Sequence, residues 1–558
     1  MDREVIQRRR WAILGVLIFS LLVVVLDNTI LNVALKIISS PKNDPVHPGL
    51  GASQSDLEWA INSYTLVFAG LLFTFGIIGD RYGRKKILMT GMVLFGIASV
   101  LCSYAASPGE LIATRAFMGF AGAAIMPATL AVIANVFEPK EQAKAIGMWA
   151  GGVGLAVAIG PVLGGVLLDH FWWGSVFLIN VPIIIVALIA MVILVPDSKN
   201  PNPGRLDPVG VLLSMAGIVV FVYGIIRGAD VGWGSPQIWG SIAGGVLLMV
   251  AFVVWEKRSD HPALDVKLFR NRAFSASVIS VGLSFFAMMG VLFFLSFYLQ
   301  AVRDFSPLKA GLYMTPFAVA QLIFSPLSAT MVKKFGARAV STTGMLIIAG
   351  TFLLFQAVST TTAAWFLLAI FFLQGAGMAN VMPPATTTIM TSLPREKAGI
   401  GSSVSNTVRQ VGGALGVAIL GTILTTAYRG RMDGPLTAII PDAAARKPVS
   451  GSIQATLGAI QQHPAIVKLI PRANEAFVHS MHVAVVVSAV VALLSAGFVF
   501  AWLPGKSAVG VGTGAGAGGF GVTNGPGAAA MTADGSGAGA GTGAPAPAAD
   551  PAAEGASA

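Results

Sequence analysis

The chain has 558 residues, of which 55% are hydrophobic and 11% are charged. Soluble domains carry about 25% charged residues, so one soluble core cannot bury this apolar surplus, whereas a bilayer accepts it in apolar helices of about 20 residues. The net charge of +11 comes from short basic clusters between apolar runs, which argues against a nucleic-acid-binding face, and the lone Cys102 excludes an internal disulfide. The composition therefore predicts an all-α, polytopic membrane protein.

The chain begins with a basic segment, 1–10, followed by a long apolar run without a small-residue cleavage site. This pattern predicts a permanent first span whose basic end is cytoplasmic. Fourteen spans are predicted, at 11–35, 58–79, 87–105, 110–136, 146–168, 175–195, 208–227, 238–256, 274–299, 309–331, 339–358, 364–390, 402–427 and 480–502. Because fourteen is even, both termini are predicted to be cytoplasmic.

Lys and Arg residues support this topology, because positively charged short loops stay cytoplasmic. They cluster after every second span, at 81–86, 140–144, 199–205, 257–272, 333–338 and 395–397, whereas the alternate short loops hold few, chiefly Lys42, Arg303 and Lys309. The long connection at about 428–479 is predicted to lie outside, since long loops cross membranes largely regardless of charge. The tail, 503–558, is rich in Gly, Ala and Pro and is predicted to be cytoplasmic and disordered.

An internal repeat relates two parts of the apolar region. MGFAGAAIMP at 118–127 resembles QGAGMANVMP at 374–383, and RYGRK at 81–85 has a degenerate counterpart in KFGAR at 334–338. The offset spans eight predicted helices, so two helices lie between two related six-helix halves. The predicted domains are an N-terminal bundle at 11–200, two linker helices at 201–258 and a C-terminal bundle at 259–502.

The segment GIIGDRYGRKKIL, at 76–88, lies on the short connection after the second predicted span. Its glycines permit close helix approach and a tight turn, and Asp80 can pair with Arg84 or face the positive end of a neighbouring helix. Ordinary topogenic charge would need neither the acid nor the glycines. The segment is therefore predicted to be a cytoplasmic gating latch, formed by Gly76, Gly79, Asp80, Arg81, Gly83 and Arg84.

Two ionisable residues lie deep within predicted spans. Asp27 is the carboxylate farthest from any span end, and because burial favours the neutral acid it is the predicted proton carrier, with a static helix–helix hydrogen bond as the alternative. Arg115, in the fourth span, has Phe371 at its repeat position, so its charge has no counterpart in the second half. It is predicted to pair with Asp27 or with substrate, or to be purely structural.

The segment at 76–88 resembles the signature of the major facilitator superfamily. VLDNTILNVAL at 25–35, WAINSYTL at 59–66, GPVLGG at 160–165, FLINVP at 177–182 and RQVGGALG at 409–416 narrow the resemblance to the fourteen-helix drug:proton antiporter-2 family, the EmrB/QacA-like multidrug exporters. The resemblance implies the major facilitator fold in a 6+2+6 arrangement, and a role in proton coupling for Arg115, which begins an RxxxG pattern.

The sequence departs from the family at Lys36, where proline is usual, and at Asn62, where many relatives have Asp. The acidic residues that several relatives carry late in the C-terminal half are also not found here, and these departures argue against transport of polyvalent cations.

The fifth predicted span carries the GPxxGG pattern of Gly160, Pro161, Gly164 and Gly165. Small residues and a proline permit close helix packing and a kink, and the resemblance implies that this pattern marks antiporters. Polar residues within spans are predicted to line a substrate cavity, although helix–helix hydrogen bonds, or interfacial anchoring for Arg409, explain each of them as well. These residues are Asn32, Asn62, Asn180, Gln321, Gln374, Asn380, Arg409 and Gln410.

The predicted function is export of bulky apolar drugs, antibiotics or dyes across the bacterial inner membrane, by alternating access and in exchange for protons. The expected partners are apolar or amphipathic small molecules and the bilayer, with the proton as coupling ion and no other cofactor, metal, nucleic acid or obligate protein partner. Export of a lipid or endogenous metabolite is the alternative. An intramembrane enzyme is disfavoured because the six histidines fall in loops or at span ends and no acid/base pair lies at membrane depth.

Overall fold

The computed structural model describes residues 3–42, 44, 48–199, 207–259, 266–392, 398–462 and 464–503. Over these residues the chain forms helices joined by short connections, and they contain no β-strand, which confirms the all-α class. The tail predicted at 503–558 lies, apart from Leu503, outside the described residues. So do residues 200–206 and the basic pair Arg395 and Lys397.

The helices are α1 (Arg3–Ser39), α2 (Gln54–Tyr82), α3 (Arg84–Ser103), α4 (Pro108–Val136), α5 (Pro139–His170), α6 (Ser175–Leu178), α7 (Asn180–Leu194), α8 (Pro208–Val231), α9 (Pro236–Arg258), α10 (Arg272–Phe297), α11 (Pro307–Phe335), α12 (Ala337–Leu354), α13 (Ala364–Thr391), α14 (Ala398–Thr437), α15 (Ala443–Val449), α16 (Ile453–Gln462) and α17 (Ile470–Trp502). A π-helical turn, Tyr298–Val302, extends α10. Short 3₁₀ turns occupy Val266–Arg270, Phe355–Ala357 and Pro464–Leu469.

Local sequence explains where several helices begin and end. Ser53 and Asp56 form a capping box at the start of α2, and Ser306 caps α11 by accepting from the Lys309 amide. Gly83 ends α2 and Gly336 ends α11, with φ angles of 119° and 86° that an L-residue with a side chain rarely adopts. These two glycines stand at matching positions of the repeat, so both halves make the same sharp helix connection.

Helix packing also repeats between the two halves. In the first half α2 and α3 pack on α4 and α1 packs on α5; in the second half α11 and α12 pack on α13 and α10 packs on α14. The halves meet through α5 with α11 and through α2 with α14, while α8 and α9 pack on each other and α8 contacts α2 and α14. The sequence repeat therefore has a counterpart in the packing, and the predicted domain boundaries stay a prediction.

Twelve helices among the described residues are long and apolar enough to cross a membrane. The bent α2 is a thirteenth if its parts, Gln54–Leu72 and Thr74–Tyr82, form one span, and α5 contributes the shorter apolar stretch Ile159–His170. The multi-pass membrane class is therefore confirmed, whereas the count of fourteen and the cytoplasmic termini stay predictions. One predicted span, 175–195, is interrupted between α6 and α7.

The connection predicted at about 428–479 is largely helical. The α14 helix continues to Thr437 and α17 already begins at Ile470, with α15 and α16 between them. Because α17 starts about ten residues earlier than predicted, His479 and His482 lie within a helix and not at a span end. His482 contacts the Val358 carbonyl at 2.8 Å, which ties α17 to the end of α12.

Candidate functional site

Asp27 lies midway along α1, and its side chain is fully enclosed. Arg115 on α4 donates to one carboxylate oxygen in a buried ion pair, and Asn180 at the start of α7 approaches the other at 3.4 Å. Three helices thus place polar groups around one carboxylate. Since an unpaired charge in such surroundings is very costly, the guanidinium offsets part of the cost of a charge on Asp27.

The Arg115 side chain is fully buried and held on several sides. Its Nε donates to the Ala60 carbonyl on α2 at 3.1 Å. Its guanidinium carbon lies 4.4 Å above the ring of Tyr64 and 5.9 Å from that of Phe177. Aromatic faces attract a cation without neutralising it, so these rings hold Arg115 in place whether or not Asp27 is charged.

Tyr64 was not among the predicted site residues. Its only sequence signal is its place in WAINSYTL, because a tyrosine in an apolar span is otherwise typical of packing. The ring is fully buried and stacks on Phe68, and the Tyr64 backbone packs so closely on Gly119 that no side chain would fit there. The RxxxG spacing from Arg115 to Gly119 therefore brings α4 against α2 and sets the guanidinium over the ring.

Asn180 adds a second polar side chain to the surroundings of Asp27. It lies 3.3 Å from Ser99 on α3 as well as near Asp27, and it is fully buried. Asn62 on α2 is also fully buried, and neither of its amide atoms has a hydrogen-bond partner among the described residues. At the ion pair itself, Nη2 of Arg115 also has no partner among them, so the pair keeps an unused donor.

The glycine pattern of α5 packs against two different helices. Gly160 lies against Thr29 and Gly164 against Ile30, so this face of α5 follows α1 just beyond Asp27. Gly165 lies against the backbone of Leu308 on α11, and the carbonyl of Pro161 lies against Gly311. The predicted small-residue packing is present, and it joins α1 to the second half of the molecule through α5.

The predicted latch makes its described contacts within the first half. Arg84 binds Asp80 at 2.8 Å and the Ala131 carbonyl on α4 at 3.2 Å, and its amide donates to the Ser198 carbonyl at 2.9 Å. Gly76 faces Pro127 on α4, with room for a Cβ at 3.7 Å, and Gly79 lies next to Ile87. Arg81 is exposed. The structure thus brings Asp80 and Arg84 together and ties them to α4.

The described contacts of the other predicted cavity residues are with groups other than Asp27. Asn32 and Asn380 donate to carbonyls one turn earlier on their own helices, at 3.0 and 2.8 Å, as expected for helix-internal bonds. Arg409 on α14 lies over the ring of Phe285 at 5.4 Å. Gln321 on α11 and Gln410 on α14 are half-buried, and Gln374 on α13 is buried. Of the predicted cavity residues, Asn180 is the one whose described contacts reach the Asp27–Arg115 pair.

Relatives of known function share most of this chain. The multidrug efflux pump LfrA of Mycolicibacterium smegmatis is 33% identical over 88% of the chain and 96% of its own length. The tetracenomycin C resistance and export protein of Streptomyces glaucescens is 31% identical over 75% of the chain and 76% of its own length. These similarities confirm the resemblance to bacterial multidrug exporters.

A solved structure supports the fold. A bacterial homolog of the human lysosomal transporter Spinster, in an inward-facing and unoccupied conformation, superposes with a TM-score of 0.60 at 17% identity, covering 88% of this chain and 96% of its own. At that identity the likeness concerns the fold alone. The sequence profile of the Major Facilitator Superfamily matches residues 17–417. The chain therefore belongs to the Major Facilitator Superfamily.

Proposed function

We propose that this protein is a proton-coupled antiporter that exports bulky apolar or amphipathic drugs, antibiotics or dyes across the bacterial inner membrane. The fully buried pair of Asp27 and Arg115 is the observation that carries the proposal. An acid and a base at the centre of a helical bundle are expensive, and intramembrane ionisable groups of this kind mark ion and substrate paths. The named activities of the similar drug-efflux and antibiotic-export proteins support the substrate class.

Asp27 is the proposed proton site. When a proton binds its carboxylate, the ion pair with Arg115 loses its electrostatic attraction, while the Ala60 carbonyl and the Tyr64 ring still hold the guanidinium. When the proton leaves, the pair forms again. The two protonation states thus differ in how strongly α1 is held to α4, and a difference of this kind is what biases a conformational equilibrium.

The glycine contacts connect this change to the two halves. Thr29 and Ile30, within a turn of Asp27, pack on α5, and the same helix packs on α11 of the second half at Gly165. A shift of α1 relative to α4 therefore acts on the interface that must rearrange during alternating access. The proposal needs the proton as its only coupling ion and no covalent reaction.

The test is proton-driven efflux of an apolar fluorescent cation and of a neutral polyketide-like dye from cells or everted vesicles, with wild type and Asp27→Asn. Asparagine keeps the size and polarity of the side chain but cannot carry a proton between the two sides. We expect the variant to bind dye and to lose efflux driven by the proton gradient.

Asp433→Asn is the matched control. Asp433 forms an ion pair with Arg446 at 2.7 Å, but its side chain is half exposed, so the same substitution removes an ion pair outside the bundle core. We expect its efflux to equal that of wild type. Full proton-driven efflux by Asp27→Asn at equal protein level would remove Asp27 as the coupling site, and absence of flux for both dyes in wild type would contradict drug export.

A further inference from the structure

Two hydrogen bonds of opposite direction join the halves where α1 and α10 end. The Lys36 ammonium donates to the backbone carbonyl of Gln300 at 2.7 Å, and the Gln300 side-chain amide donates to the backbone carbonyl of Val33 at 2.8 Å. Lys36 and Gln300 are 264 positions apart in sequence, and each belongs to a different half. The two residues thus form a reciprocal clasp across the interface between the halves.

Helix geometry explains why a lysine binds at this point. Gln300 lies in the π-helical turn Tyr298–Val302 that ends α10, where the last carbonyls lack partners within the helix. The negative end of the helix dipole also lies there, so a cation is favoured. Lys36 therefore caps a helix of the opposite half, and the resemblance to the exporter family predicts proline, which cannot do so, at its position.

Gln300 is placed to sense separation of the halves. Its side chain is fully buried, and its amide also donates to Ser296, one turn earlier on α10, at 2.9 Å. If α1 and α10 moved apart, both cross-half bonds would break together and the buried amide would lose its Val33 partner. Loss of two hydrogen bonds made by buried groups costs free energy, so these bonds favour the closed arrangement.

A cavity of about 540 Å³ lies directly beyond the clasp, and Lys36 and Gln300 form part of its wall. Three carboxylates, Asp44, Asp169 and Asp304, line the same cavity. They offer the Lys36 ammonium a new position when it leaves the Gln300 carbonyl. The clasp therefore forms part of the wall of a cavity at the end of the bundle that is predicted to be extracytoplasmic.

We propose that Lys36 and Gln300 form the extracytoplasmic gate of the transport path, closed by their reciprocal hydrogen bonds and opened when these bonds break. This gate rests on the proposed transport function for its purpose, and on the predicted topology for its side of the membrane. It adds a residue pair to the transport cycle that is distinct from Asp27 and Arg115.

Thiol labelling tests the gate without any substrate. Cys102, the only cysteine of the sequence, is replaced by alanine, and Ala34→Cys provides a reporter that is fully buried on α1, two residues before Lys36. A membrane-impermeant maleimide is applied to whole cells. We expect Lys36→Met and Gln300→Leu each to raise the labelling rate about tenfold, which corresponds to about 1.4 kcal/mol in the closed-to-open equilibrium.

Lys42→Met is the matched control, because Lys42 also donates to a carbonyl, that of Ala106 at 2.6 Å, but within the first half. Its labelling rate should equal that of the parent, and Lys36→Arg should restore slow labelling. Equal rates for Lys36→Met and Lys42→Met at matched protein levels would overturn the gate, as would labelling only from the cytoplasmic side in everted vesicles. Failure of dye efflux alongside intact labelling differences would contradict drug export and leave the gate standing.

Discussion

At the scale of single residues, the site depends on two charges that are stable only together. Asp27 and Arg115 are both fully buried, and each offsets the desolvation of the other. The Tyr64 ring and the Ala60 carbonyl give Arg115 further partners, whereas the further partner of Asp27 among the described residues is the more distant Asn180. Replacing Arg115 alone should therefore lower the free energy of unfolding more than replacing both residues by apolar ones.

We expect Arg115→Met to destabilise the protein by about 3–5 kcal/mol, since it leaves a buried carboxylate unpaired. The double variant Asp27→Leu with Arg115→Met should recover most of that loss, although it should not couple transport to protons. Thermal unfolding of the purified protein in detergent measures both effects. If Arg115→Met and wild type unfolded at the same temperature, the ion pair with Arg115 would not be what stabilises a charge on Asp27.

At the scale of helices, α5 is the element that links the site to the rest of the molecule. Its glycines let α1 approach on one face and α11 on the other, and at Gly165 the neighbour is the Leu308 backbone, which cannot move aside as a flexible side chain can. Transport requires α5 and α11 to slide or separate, so this contact must be close without being interlocked.

Gly165→Ala should therefore push α5 away from α11. We expect a destabilisation of about 1–3 kcal/mol, typical of overpacking, together with slower efflux. Gly497→Ala on α17 is the control, because an added Cβ there meets no atom within 4 Å. Unfolding in detergent and dye efflux are measured for both variants. The interpretation of α5 as a close interface fails if the two substitutions have the same effect.

At the scale of the whole molecule, three described contacts between the halves lie near the same end. They are the clasp of Lys36 with Gln300, the approach of Gly165 to Leu308 and that of Gly421 to Glu58. All three lie towards helix ends that the predicted topology places on the extracytoplasmic side.

The topology itself is testable with reporter fusions. Fourteen spans place a fusion after Leu503 in the cytoplasm, where a fluorescent protein matures and alkaline phosphatase is inactive, whereas thirteen spans place it outside. We expect fluorescence without phosphatase activity at that position. A fusion at Ala106, in a connection predicted to lie outside, should give the opposite result and serves as the control. Phosphatase activity after Leu503 would contradict the fourteen-span prediction.

The amino-acid sequence alone determined the membrane class and the positions of most helices, and it picked out Asp27 and Arg115 as candidate site residues. These follow from composition and from the cost of isolated charges in apolar runs, and neither depends on how helices are rotated about their axes. The sequence repeat likewise showed two related halves, because equivalent glycines such as Gly83 and Gly336 make equivalent turns.

Only the tertiary structure decided which of these residues meet. It paired Asp27 with Arg115 over Tyr64, brought Asn180 to the same carboxylate, and joined Lys36 to Gln300. The physical reason is that a helix in lipid is apolar on nearly every face, so hydrophobic periodicity does not report which face turns inward. Contacts between residues hundreds of positions apart depend on the rotation and register of each helix, and packing alone sets these.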